Sequence, residues 1–179
     1  MKMTGSVQEE EPDIAIKALN LTPGAIVADV GAGSGYMSEK LAAAVGPTGK
    51  VYANDIQPQM IQFIRQRIAE RKLTNIEPVL GAVNDPKLPE GAIDLILMVD
   101  VYHELQEPQV MLAALHRALK PQGRLVLLEY RKEDPNIPIR PEHKMSVAEA
   151  KLELEAEGFA LTKVDETLPR QHILIFTRR

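Results

Sequence analysis

The sequence contains no cysteine, which removes disulfide frameworks, thiolate zinc sites, iron–sulfur clusters and any mechanism built on a thiol nucleophile. It also lacks an apolar run approaching the ~20 residues of a membrane span. Where a secretory signal would need a basic segment and then an apolar one, the chain carries Glu9, Glu10 and Glu11. A cytoplasmic protein with no membrane span is expected. A basic face is missing as well: the formal net charge is -4 and the bases are scattered among acids, so nucleic acid is not an expected partner. The short cluster Arg65, Arg67, Arg71 and Lys72 reads as the solvated face of a helix. Internal repeats and low-complexity stretches are absent.

What is present is a chain of 179 residues, 45% of them hydrophobic, enough to bury the core of one domain. Residues 9–179 are read as that domain and residues 1–8 as disordered. Apolar runs of strand length at 25–30, 50–54, 76–80, 93–99 and 124–129 alternate throughout with helix-period segments at 36–45, 58–71 and 108–119. This alternation predicts an α/β fold, a doubly wound, mostly parallel sheet with helices on both faces. Pro58 and Pro108 suit the first helical position, where a missing N–H is harmless. After the fifth strand comes a polar loop, 131–144, stiffened by Pro135, Pro138 and Pro141. Ser146 and Glu149 form a capping box that opens a further helix, and Gly158 stops it. Residues 159–166 and 172–177 read as a C-terminal antiparallel hairpin.

The segment Val27-Ala28-Asp29-Val30 runs directly into Gly31-Ala32-Gly33-Ser34-Gly35, and a helix begins at once. In an open parallel sheet ligands dock at this crossing, because glycines let backbone approach a ligand that faces a helix N-terminus. Twenty residues after Gly35 stands Asp55, whose carboxylate suits a pair of ribose hydroxyls. Ile56 beside it would offer an apolar face to an adenine ring. The dinucleotide fingerprint G-x-G-x-x-G competes, but its third position falls on Tyr36, too large for the close helix packing glycine permits. Asp29 would repel a pyrophosphate, whereas ammonium and sulfonium groups favour a nearby anion.

Asp29-x-Gly31-x-Gly33-x-Gly35, Asp55, the stretch Gly81-Ala82-Val83-Asn84 after the third strand and Val99-Asp100 after the fourth together resemble the class I S-adenosylmethionine-dependent methyltransferases. The strings VDVYHEL, RPEHKMS and LPRQHILIF resemble small bacterial members that act on quinones and other small molecules. The resemblance implies a seven-stranded sheet with an antiparallel last strand, and S-adenosylmethionine as cofactor with S-adenosylhomocysteine as product. It further implies Asp29, Gly31 and Gly33 on the methionine part, Asp55 on the ribose, Ile56 and Val83 on the adenine faces, Asn84 on the adenine edge, and Asp100 near the methionine amino group. Gly35 completes the loop. Of the elements that could cover a substrate, this chain has only the 131–144 loop and the segment 10–19.

At the carboxyl edge of such a sheet His103, His143 and His172 should gather, with Tyr36, Tyr102 and Tyr130, a set suited to orienting a small polar or aromatic acceptor. If the acceptor is a hydroxyl or protonated amine, His103 is the candidate base; otherwise it hydrogen-bonds its own loop or Glu104. The spacing of the three histidines matches no standard metal site, so no metal is expected. Glu129, at a strand end, is expected to accept hydrogen bonds from the loop that follows it. A monomer or homodimer acting on a small molecule is the leading reading. The alternatives are a noncatalytic cofactor-binding partner subunit and, third, a nicotinamide-dependent oxidoreductase.

Overall fold

A computed structural model describes residues 11–179; the expected disorder of residues 1–8 lies outside them. A short helix α1 (Pro12–Ala18) leads into β1 (Ile26–Val30), α2 (Tyr36–Val45), β2 (Lys50–Asp55), α3 (Pro58–Arg71), β3 (Ile76–Leu80) and β4 (Ile93–Val99). Then follow a 3-10 turn (Tyr102–Glu104), α4 (Pro108–Ala118), β5 (Leu119–Arg131), a second 3-10 turn (Pro141–His143), β6 (Lys144–Met145), α5 (Val147–Glu155), β7 (Phe159–Asp165) and β8 (Gln171–Arg178). The strands form one sheet in the order β3-β2-β1-β4-β5-β8-β7. Strands β1 to β5 run parallel, and β8 enters antiparallel between β5 and β7. The two-residue β6 pairs with the end of β5, an eighth strand beyond the seven expected.

Successive strand residues face opposite sides of a sheet, and both sides here are covered. Val27, Leu95, Leu97, Val126, Leu128, Ile173 and Ile175 pack with α1 and α2 through Ala15, Leu19, Met37 and Leu41. Ala28, Ile96, Met98, Leu125, Leu127, Leu174 and Phe176 pack under α4 and α5 through Met111, Leu112, Leu115 and Leu154. Each fully buried large side chain of this kind contributes about 1.5–3 kcal/mol. The segment proposed to cover substrate, 10–19, thus spends Ala15 and Leu19 on the core beside α2.

Helix and strand do not alternate throughout. Residues 81–92 cross from β3 to β4 without a helix, because Gly81, Pro86, Pro89 and Gly91 interrupt any helical run. The capping box at Ser146 forms as expected, with Glu149 N–H donating to Ser146 Oγ and Ser146 N–H to Glu149 Oε1. No helix among the described residues is long and apolar enough to cross a membrane.

Two residues expected at the active edge belong to this framework instead. Tyr102 is 3% exposed within the core under α4, and its hydroxyl donates to Glu153 at 2.8 Å; burial, then Glu153, pushes that hydroxyl well above the usual phenol range. His172 is 1% exposed. Its Nδ1 lies 2.8 Å from Glu166 Oε2, and its Nε2 lies 3.1 Å from both the Met145 carbonyl and Glu133 Oε1. The alternation of β8 turns residue 172 toward the side of Leu174 and Phe176, away from an open surface. His172→Ala should therefore lower the unfolding free energy by about 2–4 kcal/mol, through lost packing and the Met145 carbonyl left without its partner. Urea unfolding measures it, with ligand affinity of the folded variant unchanged.

Candidate active site at the carboxyl edge

The edge is built on β2. The Asn54 carbonyl accepts from the N–H groups of both Gly31 and Ala32 (2.9 and 2.8 Å). The Asp55 carboxylate, 8% exposed, accepts from Gly33 N–H at 2.9 Å through one oxygen and from Gln57 N–H at 3.0 Å through the other. The loop bends by left-handed backbone at Gly31, Gly33 and Gly35 (φ 80°, 59° and 90°), which favours glycine. A Cβ on Gly31 would meet the Val101 side chain at 2.5 Å, whereas one on Gly33 would meet nothing within 4 Å. The loop is thus pressed onto the β4 crossing at Gly31 and open at Gly33.

Arg67, read from sequence as part of a solvated face, secures this loop. Its Nε donates to the Ser34 carbonyl and its Nη1 to Glu39, each at 3.0 Å. Beyond Asp55, Ile56, Leu80 and Val83 stand 46%, 48% and 36% exposed, an apolar surface at the ends of β2 and β3 with exposed Asn84 beside it. Leu80 was not among the expected residues; its register opposite Asp55 places it there. Tyr36 opens α2, half-buried, with Lys40 Nζ 5.6 Å from its ring centre.

Asp29 is 2% exposed and accepts from Ser38 Oγ at 2.7 Å. Burial drives its pKa up, the Ser38 hydroxyl holds it down and the Asp55 charge adds to the rise, leaving it raised to about 6. Asp100 has left-handed backbone (φ 55°), and both its oxygens accept from Gln171 Nε2 at 2.8 and 2.9 Å. Gln171, 1% exposed at the start of β8, was missed in the sequence because its partner is far away along the chain. Tyr130, beside Gln171 in register, is enclosed within β5.

His103 is half-buried, and its Nδ1 lies 2.7 Å from Oε1 of Glu129, which is fully buried. A carboxylate only accepts, so Nδ1–H is the donor. Glu129 thus serves this imidazole and not the following loop, and its other oxygen has no partner among the described residues. Burial lowers the His103 pKa, but the hydrogen bond it donates to Glu129 and the charges of Glu129, Glu104 and Asp100 outweigh it and set it above the ordinary value. His143, exposed, meets the His103 ring edge-on at 5.6 Å. The edge therefore gathers Asp29, Asp55, Asp100, His103 and His143, and leaves out Tyr102 and His172.

Comparison with known proteins identifies the family and supports the fold. The family described as "Methyltransferase domain" matches residues 27–123, from β1 through the start of β5. This chain belongs to that family, the class I S-adenosylmethionine-dependent methyltransferases. A crystal structure described as a SAM-dependent methyltransferase from Aquifex aeolicus superposes with a TM-score of 0.89 at 31% identity, covering 97% of this chain and 92% of that one. The ubiquinone/menaquinone biosynthesis C-methyltransferase UbiE of Burkholderia multivorans is 31% identical over 117 residues, 65% of this chain and 48% of that protein. A demethylmenaquinone methyltransferase of Geobacillus sp. is 30% identical over 114 residues, 64% of this chain and 49% of that protein. The match thus spans about half the length of these two relatives.

The raised pKa of Asp29 makes a stability prediction. The folded state binds this proton more tightly than the unfolded chain, so the contribution is fully favourable below the ordinary value of 3.8 and is lost as pH rises through about 6. Above that, the ionised group costs the protein about 3 kcal/mol. Asp29→Asn keeps an acceptor for Ser38 and should be more stable than the parent by up to that amount at pH 7.5. The gap should close as pH falls toward 4, measured as the difference between paired unfolding curves.

Proposed function

We propose that this protein transfers the methyl group of S-adenosylmethionine to a small-molecule acceptor by in-line displacement. The observation that carries this reading is the Asp55 carboxylate, spanning two backbone N–H groups beside a glycine loop that is open at Gly33. A carboxylate oxygen has lone pairs to spare after one N–H bond, so Asp55 receives the ribose hydroxyls while keeping the loop in shape. Ile56, Leu80 and Val83 take the adenine faces and Asn84 its edge. Asp29, Gly31, Gly33 and Gly35 surround the methionine part, and Asp100, held by Gln171, faces its ammonium group. When bound, S-adenosylmethionine supplies an activated methyl on a cationic sulfur.

The remaining work falls to positioning, the main source of acceleration when two groups must be held in line. His103 and His143 stand on the acceptor side with Tyr36. Where the acceptor carries a proton, His103 takes it at Nε2, because Glu129 engages Nδ1 and turns the other nitrogen outward. The relatives named above are named for quinone methylation, which supports a planar acceptor bearing ring oxygens. The same reading has a monomer or homodimer meeting this acceptor in the cytoplasm.

Calorimetric titration should show 1:1 binding of S-adenosylmethionine and S-adenosylhomocysteine and none of NAD; the reverse result would sink the reading. Gly33→Ala, whose methyl enters the open space, should lose roughly tenfold or more in cofactor affinity and about 1–2 kcal/mol of stability, because its backbone is left-handed (φ 59°). With a panel of hydroxylated quinols, His103→Ala should lower kcat roughly 100-fold with cofactor affinity intact. Unchanged kcat removes His103 from the chemistry. Cofactor binding with no transfer to any acceptor would instead make the protein a noncatalytic binding subunit.

A further inference from the structure

We propose that His103, Glu104 and His143 form a binding site for one divalent transition-metal ion of the zinc type, on the acceptor side of the edge. The sequence spacing of the histidines argued against a metal, and His172 takes no part in this trio, since Glu166 engages its Nδ1 and the Met145 carbonyl and Glu133 its Nε2. Folding produces a different trio. The 3-10 turn after β4 carries His103 and Glu104, the 3-10 turn before β6 carries His143, and one ligand atom from each lies within 4.8 Å of the other two.

What separates this trio from a chance grouping of surface side chains is Glu129. Histidines that bind metals commonly donate their second ring N–H to a carboxylate, which fixes the ring and makes the ligating nitrogen more basic. His103 has this arrangement: Nδ1 sits 2.7 Å from a carboxylate with no solvent exposure, and Nε2 is turned toward Glu104 Oε2 at 3.9 Å. A buried carboxylate with one oxygen unpartnered among the described residues also supplies negative charge behind the site, which a cation on Nε2 offsets.

Around a tetrahedral ion at ~2.0–2.1 Å from each ligand the donor atoms stand closer together than 4.8 Å. The adjustment falls on Glu104 and His143, both exposed, while His103 stays fixed by Glu129. Two imidazoles and one carboxylate suit zinc, cobalt, nickel or copper ions and not magnesium or calcium, which prefer oxygen alone. Three protein ligands leave a coordination position open, as in catalytic zinc sites. Its natural occupant is water or an oxygen of the acceptor. An Nε2 bound to the ion takes no proton; in the loaded protein the ion itself would ease loss of the proton from a hydroxyl bound to it. The site goes beyond the methyl-transfer reading and stands or falls separately from it.

Titration of the whole chain with zinc chloride, in a buffer free of chelators, tests the proposal without any activity measurement. One site in the micromolar range is expected. His143→Ala and Glu104→Gln alter exposed side chains and should fold normally, and each should weaken zinc by roughly tenfold or more. Cobalt should give a visible absorption band that His143→Ala abolishes. His116→Ala, on α4, should change neither readout. Zinc affinity weaker than about 1 mM, or equal affinity in the parent and His143→Ala, overturns the site whatever the cofactor titration shows. Loss of cofactor binding with zinc binding retained would overturn the methyl-transfer reading alone.

Discussion

The carboxyl edge of the sheet depends on the Asp55 carboxylate, which ties the glycine loop after β1 to the crossing after β2 through two backbone N–H groups. Without it the Gly33 N–H would have no acceptor, and the left-handed turns at Gly31, Gly33 and Gly35 would lose the bond that selects one conformation among the many open to glycine. The preceding Asn54 carbonyl holds Gly31 and Ala32 in the same way. The end of a single strand therefore dictates the shape of its neighbour's loop.

A second coupling runs across the edge. Gly31 leaves room for Val101, whose side chain occupies the space a Cβ would take. Val101 stands between Asp100, latched by Gln171, and the turn that carries His103. The loop at β1 and the turn after β4 are thus in van der Waals contact through one residue. Gln171 comes from β8, so the C-terminal hairpin bears on the same site. Through these contacts β1, β4 and β8 all bear on the geometry of this edge.

Much of this was legible in the chain. The five parallel strands, the prolines that open α3 and α4, and the Ser146 capping box are local signals that appear in the expected order, although β5 starts at Leu119 and not at Arg124, taking over the expected end of α4. The glycine loop and Asp55 were legible because their spacing is fixed by one strand–helix–strand unit. What failed was facing and distant pairing. Tyr102 and His172 lie near the right edge in sequence, but the turn after β4 and the alternation of β8 direct them into the core. Glu129 was visible as an acid at a strand end; that it meets His103, 26 residues back, depends on the pairing of β4 with β5. Gln171 reaches Asp100 across 71 residues, a separation that no local pattern encodes.

The way these acids are satisfied bears on the charge of their ligand. Asp29 is met by a serine hydroxyl and Asp55 by two backbone N–H groups. Neutral dipoles of this kind relieve part of the desolvation of a carboxylate without cancelling its charge. Asp29 shows how incomplete that relief is, since its pKa stays raised to about 6. A negative potential held by dipoles in a partly buried cleft acts on a cation more strongly than the same charges would in water. An edge that stores such a potential is costly to the folded protein in the absence of ligand, and under the proposed function a nucleoside carrying both an ammonium and a sulfonium group would recover that cost on binding. A pyrophosphate would add to it, which is the physical ground for a cationic methyl donor over a dinucleotide on the same glycine turn.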